Sequence, residues 1–170
     1  MNTVERLAGI CFNYGVPFIL DPAPAQHLSA ELIRKVSWFT PNETEANFFA
    51  DDLSTDKESP DHPARVAERL LELGASNILL KRGGRGFYIA NLHGLAETHA
   101  AYSVEAIDTT AAGDVFNGAF AVALVTGRSP AESACFAAAA AAISVTRHGA
   151  QASMPTLVEV ERFSLSAPLV

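Results

Sequence analysis

The sequence predicts a layered α/β fold built on a mainly parallel sheet, and three observations carry that prediction. Short apolar runs alternate with longer segments of helical periodicity, the pattern of strands joined by helical crossovers. Glycines follow the first and the fourth helical segments, at Gly15 and Gly74, where they stop them. With 49% hydrophobic and 18% charged residues, the 170-residue chain has enough apolar side chain for a core and is not disordered by composition.

In order, residues 2–14 place Val4, Leu7, Ala8, Cys11 and Phe12 at helical spacing. Residues 16–20, V-P-F-I-L, read as a short buried strand ending in the turn-rich D-P-A-P-A of 21–25. A short helix over 29–36 and a short strand over 37–40 follow, and P-N-E-T-E at 41–45 opens a helix that ends near Phe49. Residues 51–63, DDLSTDKESPDHP, are the most polar stretch and are predicted as a mobile loop. A helix over 64–73, a strand over 77–81, a glycine-rich turn over 82–86 and a strand over 87–90 come next. N-L-H-G at 91–94 reads as a hairpin turn before a weaker strand toward Val104. The last third is helical over 113–126 and 130–146, with a short helix over 157–163. The opening helix would normally cross over from an earlier strand, so the sheet reads as the second part of something larger.

Twelve Lys and Arg against nineteen Asp and Glu give a formal charge of −7, which excludes a general nucleic-acid or lipid-headgroup binder. The uncharged helical runs 115–127 and 133–146 fall short of the ~20 apolar residues of a membrane helix. Charges in N-T-V-E-R-L-A-G, directly after Met1, interrupt any apolar leader. Cys11 and Cys135 lack metal-ligand spacing and read as buried free thiols in a reducing compartment. The expectation is a soluble, cytoplasmic protein with no nucleic-acid or membrane partner.

Chemistry concentrates in residues 107–120, I-D-T-T-A-A-G-D-V-F-N-G-A-F. Ala111, Ala112 and Gly113 form a turn of small residues, and Asp114 opens an apolar helix. Small side chains there are expected to leave the N–H groups of Ala112, Gly113 and Asp114 open to an anion, which the positive helix end favours. A carboxylate at that point stays ionised and can accept a proton from an attacking hydroxyl, the task of a general base in phosphoryl transfer. Read alone, Asp114 is more often only a favourable charge in a first helical turn.

The whole pattern D-T-x-A-A-G-D-x-x-x-G-A, residues 108–119, matches the second signature of the ribokinase-like (phosphofructokinase-B type) carbohydrate kinases. The D-P-A-P-A turn resembles their N-P-A-P-A, and T-P-N-E-T-E at 40–45 is similar to T-P-N-x-x-E. K-R-G-G-R-G at 81–86 resembles their nucleotide loop, and T-R-H-G-A-Q-A-S-M-P at 146–155 a stretch near the ribokinase C-terminus. These blocks come in family order, with ribokinase as the nearest subgroup. The resemblance implies a ribokinase-like layered α/β/α fold, of which residues 1–170 are a C-terminal portion. That portion lacks the N-terminal strands, the β-lid and most sugar-binding residues.

By the resemblance, Asp114 is the base that deprotonates the sugar hydroxyl, with Ala111, Ala112 and Gly113 as the anion hole. Asn42 and Glu45 organise Mg²⁺ at the phosphates, although the same spacing is also a capping box. Lys81, Arg82, Gly83, Gly84, Arg85 and Gly86 lie along the ATP phosphates; many ribokinases carry Thr where Lys81 stands. Ala138 borders the adenine pocket. A K⁺ ion is implied beside the anion hole, held largely by backbone carbonyls at Asp108, Thr110, Ser144, Arg147, Gly149 and Ser153. The implied activity is γ-phosphoryl transfer from ATP to a primary hydroxyl of a pentose such as D-ribose. The implied partners are ATP, a small sugar, and either a second copy of the chain or an N-terminal segment. Three readings stand at this point: part of an ATP-dependent sugar kinase, a nucleotide-binding module without catalysis, and a regulatory remnant, which the intact motifs disfavour.

Overall fold

Three short parallel strands frame the first half of the chain. In the computed structural model, which describes residues 2–50 and 62–166, helix α1 (Asn2–Tyr14) ends at Gly15, whose φ of 66° reverses the chain. Strand β1 (Ile19–Leu20) pairs in parallel with β2 (Trp38–Phe39), which pairs in parallel with β3 (Asn77–Lys81). With β4 (Phe87–Asn91) and β5 (Ala96–His99) they make a five-stranded sheet in the order β1-β2-β3-β4-β5. Helices α2 (Ala30–Lys35), α3 (Glu43–Phe49) and α4 (His62–Glu72) lie between β1 and β3 in sequence. Helices α5 (Ala112–Val125), α6 (Pro130–Val145) and α7 (Leu157–Ser166) complete the described elements. The layered α/β expectation holds.

Local chemistry explains the boundaries. Ser29 caps α2 by accepting from the Leu32 N–H at 3.1 Å, and Ser129 and Glu132 form a capping box on α6, with Pro130 in its first turn. The strand expected over 16–20 shortens to two residues. Pro17 has no N–H to donate, and the Phe18 N–H goes to the Ser37 hydroxyl at 3.0 Å instead of a ladder carbonyl. Helix α4 starts earlier than expected, at His62, because Pro63 suits a first helical turn. The strand toward Val104 stops at His99. Residues 51–61, most of the predicted mobile loop, lie outside the described residues.

The chain divides into two compact units, one running to Arg82 and including Tyr88–Glu97, the other Gly83–Phe87 with the chain from Thr98 onward. The core of the first gathers Leu32 and Ile33 of α2, Val36 just after it, Phe39, Val66, Leu70, Ile78 and Leu80. The core of the second gathers Val115 and Ala123 of α5, Phe136, Ala139, Ala140 and Ile143 of α6, and Val160 of α7. Small side chains along α6 let its neighbours approach closely. Cys11 and Cys135 form no disulfide and are half-buried, more open than the sequence suggests. Among the described residues, no helix is long and apolar enough to cross a membrane.

Candidate functional site

In the first unit, four of the singled-out residues meet at the C-terminal ends of parallel strands. Asn42 caps α3: its Oδ1 accepts from the Glu45 N–H at 2.9 Å, while Glu45 Oε2 accepts from the Asn42 N–H and Oε1 from Asn42 Nδ2, each at 2.8 Å. The capping box is therefore formed, and it holds a carboxylate that is only 7% exposed. Glu45 offers hard oxygen with lone pairs to spare, and Asn42 beside it is exposed. That donor set suits Mg²⁺ approached through water. Lys81 pairs with Asn42 by a parallel bridge, and its N–H donates to Pro41 O at 2.9 Å. The Lys81 ammonium lies 2.6 Å from Asp21 Oδ2, and Arg82 Nε lies 3.6 Å from Glu43 Oε1.

In the second unit, the start of α5 is open. Gly113 and Asp114 are exposed, Ala111 and Ala112 half-buried, and no side chain caps the helix. Ala111 has φ 60° and ψ 12°, the one left-handed non-glycine among the described residues. Of the three N–H groups expected to be free, that of Ala112 is engaged, donating to Thr109 O at 3.2 Å. An anion cradle here would therefore rest on Gly113 and Asp114, because the Ala112 N–H is turned back on the loop.

Asp108 ties the approach to α5 to the loop after α6. Its Oδ1 accepts from the Thr110 N–H and its Oδ2 from the Gly149 N–H, both at 2.9 Å. The Thr110 hydroxyl, then the Gly149 and Thr110 N–H groups, push its pKa down to about 2. Ser144 and Ser153 are buried, and each hydroxyl donates to a carbonyl three residues back, Ala141 O at 2.8 Å and Ala150 O at 2.7 Å. Arg147 directs its guanidinium to Glu159 Oε1 at 2.5 Å. Glu159 is held near pKa 2 by the Thr156 N–H first, then Arg147 and the Thr156 hydroxyl. With these side chains so engaged, backbone carbonyls are the oxygen donors left at these positions, a donor type that would fit an alkali ion.

The glycine-rich turn divides by role. Gly83 is exposed at φ 54°, with open space where a Cβ would sit. Gly86, at φ 83°, is packed: a Cβ there would stand 1.9 Å from His99 O. Gly84 and Arg85 are exposed, and Ala138 is half-buried on α6. Sequence reading did not foresee Asp21 and Glu159 as charge partners of Lys81 and Arg147. Only the opposite signs hinted at it, since the pairs are 60 and 12 residues apart.

Comparison with known proteins gives a consistent result. Residues 2–157 match the family described as pfkB family carbohydrate kinase. The chain is 40% identical to a ribokinase of Haemophilus influenzae over 163 residues, 96% of this chain and 52% of that protein. It is 36% identical to a ribokinase of Bacillus subtilis, covering 94% of this chain and 50% of the relative. Among solved structures, Thermotoga maritima ribokinase superposes with a TM-score of 0.82 at 42% identity, over 96% of this chain and 53% of that one. Arabidopsis thaliana ribokinase, complexed with ribose and ATP, superposes with a TM-score of 0.88 at 30% identity, over 95% and 52%. The chain thus spans about half the length of the curated relatives it matches. On its motifs, its fold and this match, it belongs to the pfkB family of carbohydrate kinases.

Proposed function

We propose that the chain is the nucleotide-phosphate and catalytic-base portion of an ATP-dependent sugar kinase. The kinase passes the γ-phosphoryl group to a primary hydroxyl of a pentose such as D-ribose. The observation that carries this reading is the exposed, side-chain-free start of α5, where Gly113 and Asp114 face outward next to a left-handed Ala111. Asp114 accepts the hydroxyl proton there, while the Gly113 N–H and the helix dipole receive developing phosphoryl charge. Asn42 and Glu45 orient the waters of a phosphate-bound Mg²⁺, whose charge neutralises the phosphates. Gly83 and Gly84 let phosphate oxygens approach backbone N–H groups, Arg82 and Arg85 add positive charge, and Ala138 lies against the base. Carbonyls around Asp108, Thr110, Ser144, Arg147, Gly149 and Ser153 hold K⁺. The likeness to a ribokinase complexed with ribose and ATP supports both substrates. Two half-buried cysteines outside any disulfide suit the cytoplasm, where ATP is supplied. Sugar binding falls to a further segment of a longer chain or to a partner chain, with a homodimer as the other arrangement.

ADP release, coupled to an optical readout across a panel of sugars, tests the proposal on this chain and on an N-terminally extended form. ATP-dependent turnover of a pentose by the extended form is expected, and a form that binds ATP but turns over no sugar points to a nucleotide-binding module instead. Asp114→Asn should leave ATP binding intact and lower turnover by ~10²–10⁴. Unchanged turnover would remove Asp114 as base.

A further inference from the structure

The residue after β1 and the last residue of β3 are in contact through their side chains. Asp21 stands where the resembled turn has Asn, and Lys81 where many ribokinases have Thr; their side chains meet at 2.6 Å. Asp21 directly follows β1 and Lys81 ends β3, so the ion pair reaches across the end of β2, which lies between them in the sheet. The intervening strand end is bonded to both sides: the Thr40 N–H donates to Leu20 O at 2.9 Å, and the Lys81 N–H to Pro41 O at 2.9 Å. The next residue, Asn42, bridges to Lys81 and opens the capping box with Glu45. The Lys81 side chain is only 11% exposed and that of Asp21 27%. A pair this covered is costly to break from one side, because the remaining charge stays poorly hydrated.

We propose that Asp21 and Lys81 form a positioning pair: their ion pair clamps the ends of β1 and β3 over β2 and so fixes the loop that presents Asn42 and Glu45. Lys81 acts through Asp21 and the strand ends, and Asp21 gains a role that the motifs do not give it. The inference rests on the proposed task of Asn42 and Glu45 at metal-bound phosphate.

The test uses this chain with Asp21→Asn, Lys81→Met, the double variant and Lys81→Arg. Amide hydrogen exchange is read at Asn42 and Glu45, and at Ile78 and Leu79 inside β3 as internal reference. Either single variant should speed exchange at Asn42 and Glu45 by about 10-fold or more while Ile78 and Leu79 keep their rates, the mark of a local opening. The double variant should be no worse than the singles, and Lys81→Arg should restore protection. In Asp21→Asn the affinity for MgATP should fall together with protection at Asn42, whereas that for metal-free ATP should not. Unchanged exchange at Asn42 and Glu45, equal acceleration at Ile78 and Leu79, or an unaltered MgATP affinity in a chain that binds it each overturns the proposal. If the parent chain binds no MgATP, the kinase reading loses its support and the exchange pattern alone decides on the pair.

Discussion

Ala111 holds a backbone conformation that L-residues avoid, at a cost of about 1 kcal/mol, and it does so where α5 begins with no side-chain cap. Nothing in the sequence marks that strain, since alanine there reads only as a small residue. Asp108 illustrates the same divide. Its motif position is legible, but its use of both oxygens on Thr110 and Gly149 is not. Those bonds lower its pKa from 3.8 to about 2, so the folded form favours the carboxylate. The sign follows directly: the stabilisation is complete above pH 4 and is lost as pH falls toward 2. Gly149 amide protection, followed by hydrogen exchange over that acid range, should therefore fall. Asp108→Asn should abolish the pH dependence; a Gly149 amide indifferent to acid would contradict the tie.

Among the elements, helices and caps were the most readable, because periodicity and cap chemistry are local. The span of α1, the Ser29 cap of α2 and the Asn42–Glu45 box on α3 all follow from neighbouring residues. The short strands were less so, since where pairing stops depends on a distant partner, as Ser37 does for Phe18. The glycine-rich turn gives a sharp expectation. Gly86→Ala puts a Cβ against the backbone of residues 99–101 at a positive φ, and should cost more than about 2 kcal/mol in urea unfolding. Gly84→Ala meets open space and should cost under about 1 kcal/mol. Equal effects of the two substitutions would mean that Gly86 is not held as described.

For the whole molecule, two compact units, each with a core of its own among the described residues, make unfolding in separate steps the expected behaviour. The single tryptophan, Trp38, lies in the first unit, whereas α5, α6 and α7 supply much of the helical signal from the second. Urea titrations followed by tryptophan fluorescence and by far-UV circular dichroism should therefore give midpoints that do not coincide; superimposable curves would show one cooperative unit. By itself the sequence determined the fold class, the boundaries of the helices to within three residues, and the family, because these rest on periodicity, caps and contiguous motifs. Only the tertiary structure decided that Ala112 is withdrawn from the cradle, that Gly86 serves packing, and that Lys81 meets Asp21. Each of those depends on groups distant along the chain or on a backbone angle, and neither leaves a trace in local spacing.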